Sequence, residues 1–280
     1  MANNALLDID ARGVATLTLN RPEVHNAFDA ALVERLTELL VEIKSRDDVR
    51  AVVLTGAGRS FSAGADVNWM RSMAGCSEDE NVEDALHLAD LMSLLNSLPL
   101  PTVARVNGHA YGGGVGLVAC CDIAIASSEA RFALSEVRLG LVPAVISPYV
   151  VSAIGARNAR RLFLSAEAMN AKLARRVGLV HEIAKPSKLD AALDDQLGML
   201  LKGGPNALRE SKELIFTVEG GGISADDALK RRTAEIIAQL RVSDEGQEGL
   251  AAFLEKRVPE WAREDARAET RRGGDAEGDR

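Results

Sequence analysis

The feature that most constrains this chain is a recurring order of apolar strand, glycine-containing loop and helix. Val14–Leu19 alternates apolar and polar residues, and after a loop Asp29 can cap the amphipathic run of residues 30–43. Residues 51–54 and Thr102–Val106 are also short apolar runs, each followed by a glycine-containing loop. Because such chains bury the strands of a sheet under helices, the sequence predicts an α/β fold with functional loops after the strands.

The C-terminal part of the chain has a different pattern. From about residue 189 the apolar spacing is helical, with glycine and proline breaks at residues 203–205. We therefore predict a core over residues 1–200 and a helical region over residues 201–262. The tail over residues 263–280 mixes both charge signs with glycine and has little to bury, so we expect it to be disordered.

Net charge and hydropathy exclude several classes of partner. The formal net charge of -8 repels polyanions, and aromatic residues make up only 4% of the chain, which leaves little for base stacking. We therefore expect no nucleic acid and no membrane as a partner, although a phosphate group can still be held locally. The sequence has no apolar stretch near the roughly 20 residues that span a bilayer, and its start lacks a secretory pattern, which predicts a cytoplasmic location.

Metal and nucleophile chemistry are not indicated. Cys76, Cys120 and Cys121 form neither a disulfide framework nor a metal-ligand spacing, so we interpret them as reduced and structural. The four histidines also lack the spacing of metal ligands, and no GxSxG segment marks a nucleophile elbow. We predict no metal site.

Two glycine-rich segments carry most of the chemical information. Residues 61–70 (FSAGADVNWM) follow a buried strand, and their small side chains let a ligand approach the backbone. In residues 106–127 (VNGHAYGGGVGLVACCDIAIAS), three glycines precede an apolar helix whose free N–H groups and dipole suit an oxygen that gains negative charge. Either segment alone is more often a structural turn or a packing site.

Five segments together resemble the enoyl-CoA hydratase and isomerase family, the crotonases. They are LNRPEVHNAF, LTGAGRSFSAGADVNWM, VNGHAYGGGVGLVACCDIAIAS, ARFALSEVRLGLVP and GLVHE, in the order and spacing of that family. The resemblance covers residues 6–261. It implies a spiral of ββα units with a C-terminal helical trimerisation region, and trimers that commonly pair into hexamers. It also implies that the substrate is an acyl-CoA thioester and that the enzyme needs no cofactor.

The resemblance also implies a catalytic set. The backbone N–H groups of Ala65 and Gly113 match the family's oxyanion hole, which holds the thioester oxygen. Glu136 matches the family's glutamate, and a carboxyl group can both activate water for attack at C3 and supply a proton to C2. The alternative is that Glu136 is a solvated loop charge.

Apolar neighbours are expected to bury Glu136. They are Phe132, Leu134, Leu139 and Leu141. Such burial raises the pKa of a carboxyl group towards neutrality, where the group can both accept and donate a proton.

Gly116 is the main departure from the family pattern. Standard hydratases have a second glutamate at this position, two residues after the three glycines. Three interpretations stay open: Glu136 acts alone, another polar group substitutes, or the reaction is an isomerisation, for which one base suffices. The glycine is also expected to leave space beside the acyl chain for a bulkier or branched substrate.

The segment after Glu136 indicates one branch of the family. It reads LVPAVISPYVVSAIGARNARRLFL, where most members have a PGAGG-type stretch. Together with the two glycine-rich segments, it resembles bacterial hydratases of leucine and acyclic-terpene degradation, which act on 3-methylglutaconyl-CoA and isohexenylglutaconyl-CoA. Both substrates are branched at C3 and carry a carboxylate.

Further positions correspond to family segments that contact CoA or the acyl group. They are Val24, His25, Ala63, Asp66, Val67, Trp69, Gly116, Phe253 and Lys256. Glu23 stands where the family usually has a lysine, so no phosphate contact is expected there. Phe253 and Lys256 are expected beside a neighbouring subunit's nucleotide, unless Lys256 is a solvated helix lysine. Trp69 lines either the acyl pocket or the core.

Three functional hypotheses follow. The first is hydration of a C3-branched 2-enoyl-CoA in leucine or terpene degradation. The second is a Δ3,Δ2-enoyl-CoA isomerase, which a single glutamate would serve. The third is a non-catalytic member that binds RNA or acts as a scaffold, against which the intact glycine-rich segments, Glu136 and the negative charge argue.

Overall fold

A computed structural model of the protein describes residues 4–220 and 227–263. The strands of these residues are β1 (Ala5–Ile9), β2 (Val14–Leu19), β3 (Ala51–Gly56), β4 (Ser60–Ser62), β5 (Thr102–Val106), β6 (His109–Tyr111), β7 (Ile123–Ser127), β8 (Arg131–Ala133), β9 (Met169–Asn170) and β10 (Glu182–Ala184). Their α-helices are α1 (Ala30–Lys44), α2 (Val67–Met73), α3 (Glu78–Asn96), α4 (Gly113–Cys120), α5 (Ser147–Ser165), α6 (Ala171–Val177), α7 (Leu189–Leu200), α8 (Pro205–Gly220), α9 (Asp227–Val242) and α10 (Asp244–Glu255). Short 3-10 turns cover Pro22–Val24, Glu136–Leu139, Pro186–Lys188 and Glu260–Ala262.

The larger sheet forms the centre of the fold. Its strand order is β1-β2-β3-β5-β7-β10. β1 and β2 are antiparallel, and every later pair of neighbours is parallel. β3 is buried along its whole length, which accounts for its continuous apolar sequence, because both faces of a parallel sheet are covered.

A smaller sheet provides the loops that approach the candidate site. Its order is β4-β6-β8-β9, and β4, β6 and β8 run parallel. These three strands directly follow β3, β5 and β7 of the larger sheet. α2 follows β4 and α4 follows β6, while β8 is followed by the 3-10 turn Glu136–Leu139 and then by α5. This succession of two strands and a helix confirms the predicted α/β spiral of ββα units.

The short strands were not predicted from the sequence. β6 lies within residues 107–114, whose glycines predict a turn, and β4 overlaps the start of the glycine-rich segment over residues 61–70. α4 begins at Gly113 rather than at Val115, so two of the three glycines belong to the helix. Strands of three residues are too short to show alternation, and they form here because distant segments pair with one another.

Local signals at α1 and α3 agree with the sequence. The Asp29 carboxylate accepts a hydrogen bond from Leu32 N–H at 2.8 Å and caps α1 as predicted. Ser77 and Glu80 form a capping box at the start of α3. α1 and α3 pack together over the larger sheet, and the buried face of α1 consists of Leu32, Val33, Leu36, Leu39, Leu40 and Ile43.

The C-terminal region is helical, as predicted. Lys212 on α8 donates to the Asp122 carboxylate at 2.9 Å and to the Leu100 carbonyl at 3.2 Å, so α8 is attached to the edge of the core. On α10, Phe253 and Leu254 are 80% and 77% exposed.

The boundary between residues 1–200 and 201–262 stays a prediction. The predicted tail over residues 263–280 lies, except for Arg263, outside the described residues. None of the helices in residues 4–220 and 227–263 has the length and apolarity that crossing a bilayer requires.

Candidate active site

A loop before α1 supports the first glycine-rich segment. Phe28 N–H donates to the Gly64 carbonyl, and Asp66 N–H donates to the Phe28 carbonyl, both at 2.7 Å. These two bonds make a single parallel bridge between Phe28 and Ala65. In such a bridge the N–H of Ala65 points away from the supporting loop. Within residues 4–220 and 227–263 we find no acceptor for the Ala65 N–H.

The second glycine-rich segment turns sharply into α4. Gly112 has φ 49° and ψ -119°, a conformation that side chains other than hydrogen rarely allow, and its N–H donates to the Ala133 carbonyl at 2.9 Å. Gly113 is the first residue of α4, where N–H groups have no partner within the helix, and none of the described residues accepts from it. A Cβ atom added to Gly64 would lie only 3.7 Å from Gly112 Cα. The structure therefore brings the two predicted segments into contact, with an unpaired N–H group in each.

Glu136 lies against this contact. It begins the 3-10 turn Glu136–Leu139, and its Oε1 atom is 3.2 Å from the position that a Cβ atom on Gly112 would occupy. Its Oε2 atom is buried, and no hydrogen-bond partner for it exists among the described residues. Desolvation by burial raises the pKa of the Glu136 carboxyl group above its ordinary value. A solvated loop charge would show none of these properties.

The predicted apolar surroundings of Glu136 are half correct. Phe132 and Leu134 are buried as expected. Leu139 and Leu141 are 61% and 55% exposed, so their contribution to its burial was wrongly predicted. They follow Glu136 on a 3-10 turn and a loop at the surface, whereas Phe132 belongs to β8 and faces the core.

The raised pKa of Glu136 predicts a pH-dependent gain of stability in Glu136→Gln. Because the folded pKa exceeds the unfolded one, the stabilisation by the neutral carboxyl is complete below the unfolded pKa and is lost as pH rises through the folded pKa. Glutamine stays neutral, so the variant should unfold at a higher temperature than wild type at about pH 8. Thermal unfolding followed from about pH 8 down to about pH 4 should show the difference shrink. An equal difference at both ends would contradict the assignment.

Gly116 is not beside open space, and this prediction was wrong. Gly116 is buried one turn into α4. A Cβ atom added there would collide with Cγ2 of Ile146, would lie 2.9 Å from Ile146 Cβ, and would lie 3.2 Å from Met92 Cε. Ile146 is itself buried and directly precedes α5. The volume that the absent side chain leaves is therefore filled by isoleucine from the segment that replaces the PGAGG-type stretch.

A separate cavity contains the predicted residues His25 and Ala63. It measures about 550 Å³ and is also lined by Arg59 and Tyr111. Arg59 Nη2 donates to His25 Nε2 at 3.1 Å, which leaves His25 Nδ1–H to donate to Ser60 Oγ at 3.0 Å. The sequence analysis did not single out Arg59. The available signal is a basic residue two positions before the FSAGAD segment.

The remaining predicted ligand residues are dispersed. The Asp66 carboxylate is occupied, since it caps α2 through Asn68 N–H at 2.8 Å and pairs with Arg21 at 3.2 Å. The bond from Asn68, together with the charge of Arg21, lowers the pKa of Asp66, although desolvation opposes them. Trp69 donates to Asp84 at 3.1 Å and lines a groove of about 570 Å³ between α1 and α3.

Four further predicted positions are half-buried or exposed and lie outside the cavity that contains His25. Val24 is half-buried in a 3-10 turn, and Val67 is exposed at the start of α2. Phe253 and Lys256 lie at the exposed end of α10 and do not line the cavity that contains His25. Their predicted contact with the nucleotide of a neighbouring subunit therefore stays a prediction.

Thiol and metal chemistry find no support in the described residues. Burial raises the pKa of the Cys121 thiol to about 12 and also raises that of Cys120. Neither thiol can supply a reactive thiolate near neutral pH. Among residues 4–220 and 227–263, no group of three His, Cys, Asp or Glu side chains is arranged to hold a metal ion.

Sequence comparison identifies the family. The profile described as enoyl-CoA hydratase/isomerase matches residues 10–264. The chain belongs to this family. The predicted resemblance to crotonases and the predicted enzyme class are thereby confirmed.

Individual members of the family match nearly the whole chain. The crystal structure of an enoyl-CoA hydratase from Shewanella pealeana has a TM-score of 0.88 and 43% identity, and the match covers 92% of this chain and 96% of that chain. Short-chain-enoyl-CoA hydratase from Clostridium acetobutylicum is 33% identical, over 91% of this chain and 96% of its own. 2,3-Dehydroadipyl-CoA hydratase from Escherichia coli is 32% identical, over 89% of this chain and 94% of its own.

Proposed function

We propose that the protein adds water to a C3-branched 2-enoyl-CoA, with the N–H groups of Ala65 and Gly113 as the oxyanion hole and Glu136 as the acid-base. The observation that carries this proposal is the contact of the two glycine-rich segments, because each segment has an N–H group with no acceptor among the described residues and the Glu136 carboxyl group lies against Gly112. The CoA thioester is the substrate, and the reaction requires no cofactor. The activity fits a cytoplasmic step in leucine or acyclic-terpene degradation.

The two N–H groups act on the thioester oxygen. Attack at C3 moves electrons onto this oxygen and forms an enolate, and donors already in place stabilise the charge without reorganising. Gly113 also lies at the positive end of the α4 dipole. Each donor in such a hole typically contributes about 10²- to 10³-fold in rate.

Glu136 moves the proton in this mechanism. As an anion it accepts a proton from water while the water oxygen bonds to C3. It then delivers that proton to C2 when the enolate returns to the thioester, so one molecule of water is added and the carboxylate is regenerated. A pKa raised by desolvation suits a group that must alternate between both forms.

The surroundings of Gly116 support a single acid-base residue. The side chains nearest to the missing Cβ are Ile146 and Met92, both apolar. A carboxylate on residue 116 itself therefore has no room in this packing. Action by Glu136 alone and isomerisation both agree with this packing, because neither needs a side chain at position 116.

The acyl group is proposed to be branched and to carry a carboxylate. The support is the resemblance of the LVPAVIS segment to hydratases of such substrates. The name of the Escherichia coli relative also denotes a dicarboxylic acyl group.

The exposed Phe253 and Leu254 support assembly into homotrimers or hexamers, since large apolar side chains on one helix end are typical of an interface.

The substrate class is tested by parallel assays of 3-methylglutaconyl-CoA, isohexenylglutaconyl-CoA and crotonyl-CoA. The absorbance of the conjugated thioester reports water addition. We expect kcat/KM for a branched substrate to exceed that for crotonyl-CoA by about 10- to 100-fold, the range that a few apolar contacts supply. Absence of turnover with all three would contradict the proposal.

A Δ3,Δ2-enoyl-CoA isomerase is the second candidate, because isomerisation needs one base and Glu136 is the only carboxyl group that we propose for the site. Incubation in deuterated water separates the two reactions. Deuterium at C2 together with loss of the conjugated thioester indicates hydration. Movement of the double bond, or exchange at the α-carbon, without any 3-hydroxyacyl product indicates isomerisation.

A further inference from the structure

Phe28 contacts both halves of the proposed oxyanion hole. Through its backbone it binds Gly64 and Asp66, the two neighbours of Ala65, with bonds of 2.7 Å. Through its ring it packs on Gly113, where an added Cβ atom would lie 2.8 Å from Phe28 Cε2 and 3.1 Å from Cδ2. The side chain is 1% exposed. The backbone of Phe28 therefore holds the residues on either side of Ala65, while its ring packs against Gly113 at the start of α4.

The loop that carries Phe28 is held firmly at its other end. Asn26 is fully buried, and its Nδ2 donates to the carbonyls of Ala57 and Ser60, each at 2.9 Å. Ser62 Oγ donates to the Asn26 carbonyl at 2.8 Å. These bonds tie the loop to the strand that leads into residues 62–66. The backbone that carries the ring is therefore held in place relative to residues 60–62.

An ion-pair cluster fixes the residues on either side of Phe28. Arg21 donates to the Ala27 carbonyl at 2.6 Å, and its Nη2 lies 2.9 Å from Asp29 and 3.2 Å from Asp66. The Arg21 and Asp66 side chains are largely buried, at 14% and 9% exposure. One guanidinium thus joins the supporting loop to the residue after Ala65.

We propose that Phe28 is a positioning residue that sets the spacing of the Ala65 and Gly113 donors. The inference rests on the proposed function, since it concerns the same oxyanion hole. Hydrogen bonds weaken steeply with misalignment, and a displacement of about 1 Å in a catalytic group can cost about 100-fold in rate. A smaller side chain at position 28 would leave a gap beside Gly113, so the start of α4 could shift relative to Ala65 and misalign the donors.

The test compares Phe28→Leu with wild type in kinetics and in spectroscopy. The spectroscopic probe is 4-dimethylaminocinnamoyl-CoA, whose absorbance shifts to longer wavelength when its thioester carbonyl is polarised. We expect kcat to fall about 10- to 100-fold, KM to change less than about 3-fold, and the shift seen with wild type to shrink. Leu39→Ala on α1 is the control, because it removes buried volume at a residue more than two turns from Phe28.

A compensating variant gives a second readout. Gly113→Ala keeps the N–H group but places a methyl group against the Phe28 ring, so it should lower kcat and the shift by itself. In Phe28→Leu/Gly113→Ala the methyl group occupies space that the ring has left. Both kcat and the absorbance shift should then recover in part, so the effects of the two single substitutions should not be additive.

The outcomes separate this inference from the proposed function. If wild type binds the probe without a shift, the oxyanion hole itself is wrong, and the inference fails with it. If wild type shows the shift and Phe28→Leu retains both the shift and kcat, only the positioning role is overturned. It is also overturned if Leu39→Ala reduces the shift as much as Phe28→Leu does.

Discussion

Replacing Glu136 with glutamine will lower turnover of a 2-enoyl-CoA by about 10³-fold, the middle of the range for losing a general acid-base group. Glutamine keeps the shape of the side chain but can neither accept the proton of water nor return it to C2. Binding of the thioester should persist, because the proposed donors are the backbone N–H groups of Ala65 and Gly113. The measurement is steady-state kcat and KM, together with the absorbance shift of 4-dimethylaminocinnamoyl-CoA bound to the variant.

Two controls sharpen the test of Glu136. Glu182→Gln changes an exposed glutamate on β10 and should leave kcat unchanged. Glu136→Asp withdraws the carboxyl by one methylene and should retain more activity than the glutamine variant, because the acid-base group is still present. Unchanged turnover in Glu136→Gln would refute the proposed role.

Gly116→Glu will damage the protein rather than convert it to a two-glutamate enzyme. The new Cβ would collide with Ile146, so we expect a loss of about 1–3 kcal/mol in the free energy of unfolding, together with strongly reduced activity. The standard family pattern has glutamate at position 116 together with a glycine-rich PGAGG-type stretch. In this chain the large side chain is Ile146 and the glycine is at position 116, so the isoleucine fills the volume that a glutamate at position 116 would need.

The double variant Gly116→Glu/Ile146→Gly tests that exchange. Removing the isoleucine side chain makes room for the glutamate, so stability should recover relative to Gly116→Glu. With a second carboxyl available to activate water, hydration of crotonyl-CoA should rise at least about 10-fold above the single variant. Chemical unfolding and the crotonyl-CoA assay measure the two effects. If Gly116→Glu alone is as stable as wild type, the steric explanation is wrong.

Local patterns predicted much of the fold. Thr102–Val106 has the same bounds in the sequence and in the structure, and the cap at Asp29 is where the polar residue before an apolar run indicated it. These features depend on neighbours in the chain, which sequence patterns record. The ordered motifs also sufficed to identify the family, because five independent segments had to agree.

Contacts between distant residues were beyond such patterns. Gly116 was read as open space, although Ile146 fills it from 30 positions further along the chain. Leu139 and Leu141 were expected to bury Glu136 because apolar residues usually face inward, yet their turn lies at the surface. No sequence pattern marks Phe28, because its proposed role depends on contacts with two segments that only the fold brings together.

Placing the donors on the main chain has a consequence for evolution. The two proposed donors are backbone N–H groups, which every residue except proline retains, so no side-chain substitution at position 65 or 113 other than proline would remove the donor itself. Substitutions around them can change which acyl group fits, while the amides proposed to polarise the carbonyl persist. A lineage built on this site can therefore acquire new substrates without rebuilding its catalytic centre.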